Sequence, residues 1–217
     1  MVAQHLFLNY FPTAQQVINS KNMKHIPYFV LDYLVTNQFI GKTRTLIVGE
    51  NYPGTNYANS YFYRSIPGCP HGAPSGPTPQ FFIKLCDTFL IPSLDSTSRT
   101  LSEPDRLKKF LENRFLLIDA QENLKAPTRP ATLTPIEIDD LVKTIILINP
   151  SNILFLSENN KNIISLISGH PLYYIIKPKI VINHLRKGRL WFSFPSPPAN
   201  PKLFQDEIEF ARQYYFF

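Results

Sequence analysis

Short, unbroken apolar runs alternate along this chain with longer stretches in which apolar residues recur every third or fourth position. Four runs have strand length: Leu46 to Val48, Phe115 to Ile118, Ile153 to Leu156 and Leu190 to Phe194. They are rich in β-branched and large apolar side chains, as expected of strands buried on both faces. The segments between them carry legible helix starts. Thr78-Pro79 opens Gln80 to Leu90, with Phe82, Leu85, Cys86 and Phe89 on one face. Thr134-Pro135-Ile136-Glu137 has capping-box spacing and predicts a helix to about Ile148. Asn200-Pro201 opens a last helix through Ile208 and Ala211, and Tyr28 to Phe39 predicts another, ended by Gly41. Tyr173 to Leu185 is ambiguous, because β-branched residues there surround Pro178. The rhythm predicts an α/β fold, a three-layer α/β/α arrangement around a short, mainly parallel, four-stranded central sheet. No repeat or linker divides the sequence, so residues 1–217 read as a single domain, with 1–40 a helical extension packed on it.

Composition narrows the picture only a little. The chain has 217 residues, enough for one sizeable core, and 22 Lys+Arg against 16 Asp+Glu. That excess agrees with an anionic partner without requiring one. Two cysteines, Cys69 and Cys86, provide no disulfide framework and no four-thiolate cluster. Neither a membrane-spanning run nor a signal peptide is evident, so the expected setting is cytoplasmic, with no membrane partner. Cys69 and His71 are close in sequence but lack companion ligands, so no metal and no organic cofactor is expected.

Two turns draw attention. The strand Leu46 to Val48 stops at Gly49 and passes into Glu50-Asn51-Tyr52-Pro53-Gly54, a stiff polar loop with a carboxylate and an amide. In α/β proteins ligands bind just outside the carboxyl ends of the strands. The second turn, Phe194-Pro195-Ser196-Pro197-Pro198-Ala199-Asn200-Pro201, again follows a strand and leads into a capped helix. Its proline geometry fixes the backbone, so that Ser196 and nearby N–H groups can face an anion such as phosphate. Each turn alone also fits a plain structural role, a polar turn capping its own backbone or a proline-rich helix start.

As a pair, these loops resemble two motifs of the uracil-DNA glycosylase superfamily. Gly49-Glu50-Asn51-Tyr52-Pro53-Gly54 is similar to its Gly-x-Asn-Pro-Gly or Gly-Gln-Asp-Pro-Tyr loop, with Tyr52 inserted, and Phe194-Pro195-Ser196-Pro197 to its His-Pro-Ser-Pro. The resemblance covers the order of elements from about residue 40 onward. It implies that Asn51 and Glu50 position or activate water beneath the sugar C1′, and that Tyr52 borders the base. An aromatic residue beyond the first loop, Phe62 or Tyr63, would stack on the extruded base. Ser196 would hold a phosphate, Pro198 would wedge into the vacated stack, and the basic residues His184, Arg186, Lys187 and Arg189 would face the backbone.

Two positions depart from the family pattern. Asp119, after Phe115 to Ile118, stands where relatives commonly read uracil with asparagine. An amide both donates and accepts, whereas an ionised carboxylate only accepts and would repel uracil O4. It would suit a base that presents an amino group, unless burial keeps it protonated. Phe194 replaces the histidine that donates to the leaving base, a bond worth roughly 3–4 kcal/mol of barrier in comparable sites. The resemblance therefore implies a monomeric, metal-free DNA glycosylase that flips a damaged or non-standard base and hydrolyses its N-glycosidic bond. A catalytically inactive nucleic-acid-binding module of the same fold, or a small-nucleotide-binding α/β protein, stays open beside it.

Overall fold

Three of the apolar runs become five-residue strands, and the strongest helix starts become helices where their caps predict them. The computed structural model describes residues 25–39, 41–49, 62–69, 77–90, 101–121, 133–156, 160–185, 193–195 and 200–215. Along the chain come α1 (Tyr28–Thr36), β1 (Thr45–Gly49), α2 (Gln80–Leu90), α3 (Glu103–Glu112), β2 (Phe115–Asp119) and α4 (Pro135–Ile148). They are followed by β3 (Asn152–Leu156), α5 (Asn160–Ser168), α6 (Tyr173–Ile176), β4 (Ser193–Phe194) and α7 (Pro201–Ala211). The fold is α/β with a small parallel sheet, in the order β2-β1-β3-β4.

The sheet has three full strands, and of the expected fourth, Leu190 to Phe194, only Ser193 and Phe194 lie among the described residues. Full ladders join β1 to β2 and β3, whereas β4 contributes two residues beside Phe155 and Leu156. The other end of β3 meets a different segment, through a parallel bridge from Ile153 to Ile180 and a 2.8 Å bond from Val181 N–H to the Ile153 carbonyl. This resolves the ambiguous stretch around Pro178: α6 passes into a 3₁₀ turn, Lys177–Lys179, and the chain then extends along the sheet.

The caps show why the helices sit where they do. Thr134 Oγ1 accepts from Glu137 N–H at 3.3 Å, and Glu137 returns the bond by accepting from Thr134 N–H at 2.7 Å. Asn200 accepts from Leu203 N–H at 3.1 Å ahead of Pro201. Helix α1 stops three residues before the predicted Phe39, because Gln38 adopts a left-handed conformation at φ 59°. Phe39 N–H then closes on the Leu34 carbonyl at 2.7 Å and Gln38 N–H on Val35 at 3.0 Å, the paired bonds of a Schellman turn. Helix α3 was not anticipated, although Ser102 and Pro104 mark its start as clearly as the others.

One core joins all layers of the sequence. Val30, Leu31 and Leu34 of α1 belong to the same buried cluster as the strands, so residues 25–39 are integral to it. Every residue of β1 and β3 is buried. The salt bridge between Arg64 and Glu103, at 2.8 Å and almost fully buried, ties the turn after residue 61 to the start of α3. Arg64 also donates to the Pro77 carbonyl at 3.0 Å.

Strand β2 lies at the edge of the sheet, where alternate N–H and C=O groups have no strand to pair with. The Tyr63 hydroxyl donates to the Leu117 carbonyl at 2.7 Å and accepts from the Leu117 N–H at 3.0 Å. Two residues further on, His25 Nδ1–H donates to the Asp119 carbonyl at 3.1 Å. Side chains thus complete this edge. Tyr63→Phe would leave both Leu117 groups buried without that partner. It is expected to lower stability by about 1–3 kcal/mol, read from urea denaturation of the two proteins.

Candidate functional site

All strands are parallel, so their carboxyl ends share one edge of the sheet. The register is level as well. Gly49 pairs with Asp119, Val48 with Phe155, and Leu156 with Phe194. Gly49, Asp119, Leu156 and Phe194 therefore form one row, spanning roughly 14 Å at the usual strand spacing. The chain leaves β1 for β2 on one side and later returns to place β3 on the other. The β1/β3 boundary is thus the switch point of the sheet, where α/β folds open a crevice. The strand residues that precede the two polar turns singled out in the sequence, Gly49 and Phe194, both belong to this row.

Asp119 is the chemically distinctive member. A Cβ built on Gly49 would lie 2.7 Å from Asp119 Oδ1, so the carboxyl group rests directly on the glycine. Only a residue without a side chain leaves that space. The strand-end glycine serves this close approach, with Ala120 N–H bonded to the Gly49 carbonyl at 3.0 Å to hold the two strand ends together. Burial among packed groups pushes the Asp119 carboxyl up to about 7, so near neutral pH it exists in both forms. Its protonated form has an O–H donor beside a carbonyl acceptor, the same pair of functions that an amide presents.

The aromatic positions are corrected. Phe62 and Tyr63, expected to stack on a base, are both 3% exposed. The Phe62 ring packs against Tyr63, Phe82 and Phe110 at centroid distances of 4.9, 5.0 and 5.3 Å, while Tyr63 is committed to the β2 edge. Neither ring offers a face to a ligand. Phe194, also expected to border the base, is fully buried, because it lies in the sheet at the end of β4. The candidate residues Glu50, Asn51, Tyr52, Arg186, Lys187, Ser196 and Pro198 lie outside the described residues.

Other candidates have plainer roles. Cys69 is buried and His71 lies outside the described residues, among which no group of three His, Cys, Asp or Glu could hold a metal ion. Cys86 is fully buried, and burial drives its thiol far above the ordinary range. His170 accepts from Leu172 N–H at Nδ1, and its Nε2 lies 3.2 Å from Asp139 in an α4 surface pair. His184 stacks on Tyr214 with ring centroids 4.5 Å apart. Among the described residues, no helix is long and apolar enough to cross a membrane.

No family model, curated protein or solved structure matches the chain. The geometry of the row therefore carries the functional reading by itself.

Two outcomes check that geometry. Gly49→Ala is expected to cost about 1–3 kcal/mol of stability through overpacking, and most of that loss should disappear in an Asp119→Ala background. A double-mutant cycle without coupling between the positions would contradict the contact. The second check is pH. The folded pKa of Asp119, about 7, lies above the ordinary 3.8. The native state therefore keeps a proton that the unfolded chain has already lost. The resulting stabilisation is full below the unfolded value and is lost as pH rises through 7. Asp119→Asn, neutral throughout, should consequently gain on the natural protein by about 1–3 kcal/mol between pH 5 and pH 8.5 in denaturant titrations.

Proposed function

We propose that this protein is a DNA glycosylase of the uracil-DNA glycosylase type. A flipped base would enter at the carboxyl edge of the sheet, with Asp119 reading its edge. The observation that supports this most is the level row of Gly49, Asp119, Leu156 and Phe194, which puts the last strand residue before each motif-like turn, Gly49 and Phe194, at the same edge of the sheet. Had the turns left from opposite edges, no common slot would exist. The proposed arrangement is three-layered. Right-handed crossovers put α2 and α3 on one face and α4, α5 and α6 on the other, because the direction of travel reverses at β2. The packing of α2 with α3 and α7, and of α4 with α5 and α6, supports that division.

The raised Asp119 pKa bears on the main departure from the family motif. Protonated, the side chain donates to a carbonyl oxygen such as uracil O4 and accepts from N3–H, as asparagine would. Ionised, it only accepts, which favours a base carrying an exocyclic amino group. In the reaction, Asn51 and Glu50 would orient a water on C1′; its oxygen bonds to C1′ and gives a proton to the Glu50 carboxylate as the glycosidic C–N bond breaks, and the base departs with the bonding pair and takes up a proton.

A second reading has its own observation. Phe194 is fully buried, so the place of the motif histidine holds a hydrocarbon ring with nothing to donate. That favours a protein which binds nucleic acid without cleaving it.

Duplexes carrying uracil, hypoxanthine or xanthine, each incubated with the protein and then assayed for abasic sites, decide between the two. The glycosylase reading expects abasic sites on at least one duplex. On a uracil substrate the rate should fall as pH rises through about 7 and this fall should flatten in Asp119→Asn. Retained binding without cleavage on all three would establish the second reading, and neither binding nor cleavage would remove both.

A further inference from the structure

The amino edge of the same sheet carries a cavity of about 670 Å³, bordered by Lys42, Thr43, Arg44, Arg114, Asn149 and Ser151. These residues immediately precede β1, β2 and β3, so three strand starts build one depression at the edge opposite to the motif-like turns. Three of its side chains are cationic, and among the described residues no carboxylate lines it. Lys42 and Arg114 have no acidic partner among the described residues, and both are exposed.

The backbone here is held in shape at some cost. Arg114 sits in the left-handed region at φ 67° and Asn149 at φ 49°, neither of them glycine. Arg114 is the less tolerant type, and a bulky residue there stores about 1 kcal/mol. Surrounding bonds fix both positions. The Arg114 carbonyl accepts from Arg44 N–H at 2.8 Å and Thr45 N–H at 3.1 Å, while Lys179 Nζ donates to Asn149 Oδ1 at 2.6 Å. The Arg44 carbonyl in turn accepts from Ser151 and Asn152 N–H at 2.8 and 2.9 Å. The cationic stems therefore rise from a rigid floor. Hydroxyls of Thr43 and Ser151 and the Asn149 amide add uncharged hydrogen-bonding groups around it.

We propose that this depression binds a phosphoanion carrying two or more phosphate groups, through Lys42, Arg44 and Arg114. Multiple phosphates match the cations Lys42 and Arg114, with Arg44 beside them, in a cavity large enough for more than one phosphate group, whereas a lone carboxylate would leave one of those two unmatched. The phosphates can belong to a nucleic-acid backbone or to a free polyphosphate or nucleotide. The inference is independent of the base-excision reading, since it uses none of the residues at the carboxyl edge.

The test uses the full chain, inorganic tripolyphosphate by calorimetry, and a fluorescein-labelled 16-mer duplex by polarisation at several salt concentrations. The double variant Lys42→Gln/Arg114→Asn keeps a side chain tolerated in the left-handed region at position 114. It should weaken binding at least about five-fold and, for the duplex, reduce the slope of log K against log salt by about 2. The charge-matched control Lys84→Gln/Lys202→Gln, on α2 and α7, should change binding less than two-fold. Denaturation curves check that the first variant is folded. If it is not, Lys42→Gln alone is read, with about half the slope change. Tripolyphosphate binding without duplex binding assigns the site to free phosphoanions, and duplex binding lost with the depression assigns it to backbone. The proposal is overturned if neither probe binds, or if control and depression variants lose affinity equally. Tripolyphosphate contains no base, so its binding is read independently of the carboxyl edge, which separates failure here from failure of the base-excision reading.

Discussion

Strand β1 sets the terms for everything else in this protein. All five of its residues are buried and it is bonded on both sides. A parallel strand in that position needs cover on both faces, and the crossovers run past it in opposite directions, β1 to β2 one way and β2 to β3 the other. Its neighbours then start together and stop together. One edge of the sheet collects the residues that follow the strands, and the other collects those that precede them. The two edges differ sharply in character. Among the described residues, the carboxyl edge has the Asp119 carboxyl group pressed against a glycine, and the amino edge has cations around an open cavity.

Much of this architecture was legible in the sequence because its signals are local. Helix starts at Pro135 and Pro201 rest on side chains reaching three residues along the chain, and the structure shows those bonds. Apolar runs of strand length became β1, β2 and β3 almost at the predicted limits. The end of α1 was missed because glutamine, not the nearby glycine, takes the left-handed turn position. A Gln at that place has no distinctive signature. The division of one side of β3 was hidden for another reason: Ile180 and Val181 bond it at Ile153, while Ser193 and Phe194 pair with it further along. No local pattern encodes that division.

The candidate site divides in the same way. Asp119 and the stop at Gly49 are visible in the sequence, but their contact is not, since 70 residues separate them in the chain. The aromatic pair Phe62-Tyr63 after the first loop reads in sequence either as a stacking platform or as core. Its burial depends on Phe82 and Phe110, which arrive from helices α2 and α3. His25 had no functional signal at all, and its role appears only when β2 is seen to be an edge.

The closure of β2 by Tyr63 and His25 has an effect on how copies of the protein meet. An unpaired strand margin is a template on which a second chain can add a strand, leading to swapped or fibrillar assemblies. Here that template is already occupied by two rings from the same molecule, one at Leu117 and one at Asp119. Sheet-to-sheet growth from this side would first have to displace both rings, so crowding alone gives neighbouring molecules little foothold there.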